Sequence, residues 1–134
     1  MNYEGKILAK YRYEKAIDTF NAAEALFSEN RFNHAVNRYY YTVFHAIQAL
    51  LATIGSKTKK HSGAIAEFNR HFVKTGIFDK NYAKMVKHLF EERGEADYRD
   101  FKVFQKQEVE ELRADVTGFL QAVRDYLSRE HWLE

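Results

Sequence analysis

The sequence predicts an all-α fold, an antiparallel bundle of four to five helices, on three observations. The 134 residues include no proline and only six glycines, so little interrupts a helix. Apolar side chains recur at three- and four-residue intervals over long windows, and no alternating run of strand length occurs. Gly55, Gly63, Gly76 and Gly94 fall near the breaks between those windows. With 46% hydrophobic and 30% charged residues and no low-complexity stretch, residues 1–134 read as one globular domain.

Each element has a local warrant. The first helix is expected from about Lys6 to Phe27, closed by Ser28-Glu29-Asn30. The second runs from about Phe32 to Ile54, with Gly55 suited to the left-handed position past a helix end. A basic loop, Ser56 to Lys60, leads to a third helix from about His61 to Val73, ended by Thr75-Gly76. Asp79 can cap a fourth helix reaching about Arg93. An irregular stretch, Gly94 to Phe104, then precedes a last helix from about Gln105 to Arg129.

Composition also narrows function. Without cysteine there is no disulfide scaffold, thiolate zinc site or cysteine nucleophile. The histidines lack metal-ligand spacing and no glycine-rich phosphate loop occurs, so no metal and no cofactor are expected. The best apolar run, Tyr39 to Ile54, is interrupted by His45 and Gln48, and Met1-Asn-Tyr-Glu-Gly-Lys6 lacks a leader's apolar core. The expectation is a cytoplasmic protein that does not enter membranes. Charge is uneven: residues 55–90 carry +6, against +1 before and −5 after. That basic middle, with Lys57, Lys59 and Lys60 in its loop, suits either an anionic partner such as RNA or an ordinary solvated face.

The second helix carries the chemistry. Val36, Tyr40, Val43, Ile47, Leu50 and Ile54 share one sector and form its core stripe. The opposite sector holds Arg38, Thr42, His45, Ala49 and Ala52, with Tyr41 at its edge, and has neither Lys nor Glu. Small residues beside Arg and His suit a semi-buried interface between two copies, or a packing face within the chain. Arg38 and His45 lie two turns apart, about 10.5 Å along the axis. A guanidinium that stabilises phosphate charge and an imidazole that moves protons suffice for RNA cleavage by the neighbouring 2′-hydroxyl without a metal. Arg93 continues the apolar line of the fourth helix, with Asp97 four residues on and Tyr98 next. This group reads either as an ion pair pinning the chain or as the edge of a site.

Together these segments resemble the HEPN domain family, small helical domains often encoded beside minimal nucleotidyltransferases. The resemblance lies in Ala35-Val-Asn-Arg38-x-Tyr40-Tyr41-x-x-Phe44-His45-Ala46, in Lys59-Lys-His61-Ser-Gly63, in Phe68-x-x-x-Phe72-Val-Lys-Thr-Gly76 and in Arg93-x-x-x-Asp97-Tyr98, and it covers about residues 8–128. It implies a helical bundle that is commonly a homodimer. For many members it also implies a metal-independent ribonuclease whose Arg-x(4–6)-His motifs meet across two protomers. Arg38 and His45 have six residues between them, which fits that spacing. Active members usually carry the motif in a later helix, where this chain has Arg93 followed by Asp97-Tyr98 and no histidine. Two functions follow. One is a toxin-like ribonuclease paired with a minimal nucleotidyltransferase, using Arg38 and His45. The other is a non-catalytic module that binds such a partner, or a nucleotide.

Overall fold

Helix α2 (Phe32–Ala52) is the hub against which α1 (Tyr3–Ser28), α3 (His61–Phe68), α4 (Lys80–Tyr98) and α5 (Lys106–Arg129) all pack. The computed structural model describes residues 3–133, and no strand occurs among them. Met1 and Asn2, part of the polar opening stretch, and Glu134 lie outside the described residues.

Helices α1 and α2 run antiparallel, as Phe27 meets Phe32 at one end and Arg12 Nη1 donates to the Gln48 carbonyl at the other. Small buried residues on α1 (Ala9, Ala16, Thr19 and Ala23) permit this close approach. The contact corrects the expected dimer face. Thr42, Ala49 and Ala52 are already buried within the single chain, because α1 covers that side of α2. A charge-poor helix face looks the same in sequence whichever helix covers it.

On the core stripe, Val36, Tyr40, Val43, Ile47 and Leu50 are buried as expected, whereas Ile54 is 45% exposed. Ile54 lies beyond the last helical turn, in a C-terminal motif where Gly55 N–H donates to the Ala52 carbonyl and Ser56 N–H to that of Leu51. Gly55 takes φ +69°, the left-handed conformation expected of it.

The third helix changes pitch after Phe68, and residues Asn69–Val73 form one π-helical turn closed by Lys74 N–H on the Asn69 carbonyl. Phe68 lies at the centre of an aromatic cluster with Phe72, Phe78 and Phe119, which joins α3 and the lead-in of α4 to α5. Asp79 caps α4 by accepting from Asn81 N–H, and Gln105 begins α5 in a reciprocal capping box with Glu108.

Helix α4 does not stop near Arg93 but continues to Tyr98, so half of the expected irregular stretch is helical. Pairs four residues apart, Arg93 with Asp97 and Glu95 with Arg99, bridge the turn weakened by Gly94.

Candidate functional site

Helices α2 and α4 cross so that Tyr40 and Tyr41 lie under the last turns of α4. The Arg93 side chain, only 12% exposed, drops onto them, with its guanidinium carbon 5.0 Å from the Tyr40 ring centre and 5.8 Å from that of Tyr41. From α2, Arg38 reaches the same Tyr41 ring at 4.8 Å. Two permanent cations therefore share one aromatic floor.

A short polar chain holds them there. Arg38 Nε donates to Asn37 Oδ1 at 2.8 Å, and Asn37 Nδ2 donates to Asp97 Oδ2 at 2.8 Å. Asp97 also faces Arg93 at 3.6 Å, and Arg93 Nη1 donates to the Tyr98 hydroxyl at 3.3 Å. Burial works against the Arg93 charge, but Tyr41, Tyr40, Tyr98 and Asp97 outweigh it and hold the guanidinium more firmly protonated than usual. Arg93 Nε is buried without a hydrogen-bond partner, which leaves one donor of the pair uncommitted.

Two histidines flank the floor. The His61 ring stacks on Phe44 at 4.1 Å, and its Nδ1 shares a 2.6 Å hydrogen bond with the Tyr40 hydroxyl. Burial pushes the Tyr40 phenol up to about 12, only partly offset by Arg93, so this hydroxyl stays protonated. His45 packs beside Tyr41 and Phe44. Its pKa falls from 6.5 to about 4, first through burial and then through Lys15, Arg38 and His61. His61 shifts down as well, through burial and Arg93.

A stability prediction follows. Between pH 6.5 and about 4 the unfolded chain takes up a proton at residue 45 that the folded chain refuses, so stability should fall as pH drops through that window. Urea unfolding at pH 7.5 and pH 5 should show the loss, and His45→Gln should reduce it. An unchanged pH dependence in the variant would place the titrating group elsewhere.

The structure thus brings together Arg38, Tyr41, Arg93, Asp97 and Tyr98, with His45 at their side. Lys57, Lys59 and Lys60 are exposed on the loop that ends where α3 begins at His61. Asn37 and His61 were not among the candidates from sequence. His61 follows that basic loop directly, and both residues stand inside stretches that carry the family resemblance, Ala35-Val-Asn37-Arg38 and Lys59-Lys-His61, the signals that could have marked them. Among the described residues no group of three or more His, Asp or Glu is placed to hold a metal ion. An apolar groove of about 480 Å³ between α3 and α4 reaches the cluster only through Phe90. No helix among the described residues is long and apolar enough to cross a membrane.

Known proteins share this chain's pattern along most of its length. A protein of Thermotoga maritima named "UPF0332 protein" is 37% identical over 123 residues, 92% of each chain. Two proteins of Methanocaldococcus jannaschii bear the names "Putative toxin MJ0142" and "Putative toxin MJ0605". They are 33% and 32% identical over 85% of this chain, covering 78% and 84% of their own lengths. The HEPN domain pattern matches residues 9–126, which takes in every helix that builds the Arg38–Arg93 cluster, and the chain belongs to the HEPN domain family.

Proposed function

We propose that this chain is the toxin-like member of a two-protein pair with a minimal nucleotidyltransferase, acting in the cytoplasm as a metal-independent endoribonuclease. The observation that carries the reading is the convergence of Arg38 and Arg93 on the Tyr41 ring, with Asp97 facing Arg93 directly and linked to Arg38 through Asn37. Two guanidiniums over an aromatic floor suit a phosphodiester followed by a base. The names of the two Methanocaldococcus relatives support the toxin role.

In this reading the RNA's own 2′-hydroxyl attacks the adjacent phosphorus while the bond to the 5′-oxygen breaks. The products are a 2′,3′-cyclic phosphate and a 5′-hydroxyl end. Arg38 and Arg93 balance the charge on the pentavalent phosphorus. His45, neutral at pH 7, takes the proton of the attacking hydroxyl, and the leaving oxygen is protonated from solvent. Lys57, Lys59 and Lys60 draw the strand in, so binding weakens steeply with salt. One Arg38–His45 pair, about 10.5 Å apart along α2, cannot surround a phosphate. In this reading the protein works as a homodimer in which two copies bring such pairs towards one phosphate, through a face other than the Thr42–Ala49–Ala52 side that α1 covers.

A second reading, a non-catalytic module that binds the nucleotidyltransferase or a nucleotide, draws on one observation. An imidazole pushed down to about 4 is a weak base and carries no proton to donate at neutral pH. Purified protein incubated with single-stranded RNA in EDTA decides between them. Cleavage that leaves cyclic-phosphate ends, by a species of twice 15.9 kDa in light scattering, is the expected result. A folded protein that cuts no RNA leaves the binding module standing.

A further inference from the structure

The loop from α4 to α5 presents an aromatic ring that packing does not explain. Phe101 is fully exposed, at 101% of a free residue, and holds φ +65°. A bulky side chain pays for that left-handed conformation and here receives no burial in return. The loop is nevertheless fixed. Asn33 Nδ2 donates to the Lys102 carbonyl at 2.8 Å, and Phe104 N–H donates to Asn33 Oδ1 at 3.1 Å. Phe104 itself is buried. On the other side, Asp97 is held by Asn37, one turn along α2 from Asn33. The ring therefore projects from a short span clamped at two points about 6 Å apart on the helix that carries Arg38.

Its neighbours narrow the occupant. Arg99 pairs with Glu95 at 2.9 Å and Lys102 with Glu108 at 3.6 Å, so the loop's cations are balanced locally. Tyr98, 77% exposed, links the loop to Arg93 through its hydroxyl. The loop's exposed apolar side chains, Tyr98, Phe101 and Val103, alternate with Arg99, Asp100 and Lys102, and two of the three are flat rings, a surface better matched to stacked bases than to the continuous apolar face a protein partner covers. A π-face next to a phosphate site is how unpaired nucleobases are held.

We propose that Phe101 is a base-stacking platform for single-stranded RNA, seating a base that flanks the phosphate held by Arg38 and Arg93. The inference rests on the RNA reading above and names its substrate class as unpaired strand rather than duplex.

Fluorescence anisotropy with a 2′-O-methyl single strand, which cannot be cut by its own hydroxyl, and with the matching duplex tests it. Phe101→Gly should weaken single-strand binding by about tenfold or more. Its melting temperature should equal or exceed the parent's, because glycine accepts φ +65° freely. Phe101→Trp should bind at the parent's level. Gain in stability with loss of binding is a pairing that a merely structural role would not produce. Binding by Phe101→Gly within twofold of the parent, or equal binding of duplex and single strand by the parent, overturns stacking and leaves the RNA reading in place. A dimer that becomes a monomer on Phe101→Gly also overturns it, assigning the ring to a contact between copies. A parent that binds no RNA takes both readings down together.

Discussion

Replacing Phe68 by alanine is expected to lower the unfolding free energy by about 3–5 kcal/mol, near the upper end for a single core truncation. Phe68 is fully buried, with the rings of Phe72, Phe78 and Phe119 centred 6.2, 5.8 and 5.7 Å away. Flat, rigid neighbours cannot flow into the vacated space, and the π-helical turn that starts at Asn69 fixes the backbone beside it. A truncation there therefore loses both the transfer energy and most of the cavity term. Stability of a natural domain is typically about 5–15 kcal/mol, so the variant would sit near its folding limit at 37 °C. Urea unfolding against Phe90→Ala, whose ring is 38% exposed, is the comparison to make. A Phe68→Ala loss no larger than that of Phe90→Ala would mean the aromatic cluster does not hold α3 to α5.

Removing the Arg38 guanidinium is expected to slow RNA cleavage by about two to three orders of magnitude, with or without EDTA. The substitution is well suited to the purpose. Among the described residues the Arg38 side chain hydrogen-bonds to its neighbour Asn37 and stands half-buried over the Tyr41 ring, so Arg38→Ala should unfold within about 1 kcal/mol of the parent. Arg93→Ala would be a poorer probe, because it empties a nearly buried site and leaves Asp97 and Tyr98 without their partner. Arg38→Lys should recover little, since an ammonium lacks the planar fork that spans two phosphate oxygens. A folded, dimeric Arg38→Ala protein that cuts at the parent's rate would move the chemistry to Arg93 and its neighbours.

Much of this was legible because it is local. Gly55, Asp79 and Gln105 mark helix ends through hydrogen bonds to residues within a few positions, and these marks agree with the structure. Arg93, Asp97 and Tyr98 were legible as one group from their spacing, although the sequence put Asp97 and Tyr98 past the end of the helix that in fact carries all three. The end of α4 was misread because Gly94 signals a break that the flanking ion pairs override. Non-local pairings were beyond reach. That Arg38 and Arg93 meet on one ring depends on how α2 crosses α4. That Tyr40 meets His61, 21 residues on, depends on the path of the loop between α2 and α3. The charge-poor face of α2 was visible too, but only α1's own small residues decide that it closes within the chain.

The position of α2 at the centre of the bundle bears on how the molecule receives a ligand. Asn37, Arg38, Tyr40, Tyr41 and His45 all stand on the one helix braced by four others. A site mounted there has little freedom to surrender when a substrate arrives, so less of the binding energy is consumed in ordering side chains. The parts that would meet an RNA strand first under the proposed function, the lysines and Phe101, belong instead to loops at the rim. Rigidity is concentrated on α2, and the lysines and Phe101 project from the surface around it, the latter on a span that Asn33 and Asn37 hold in place.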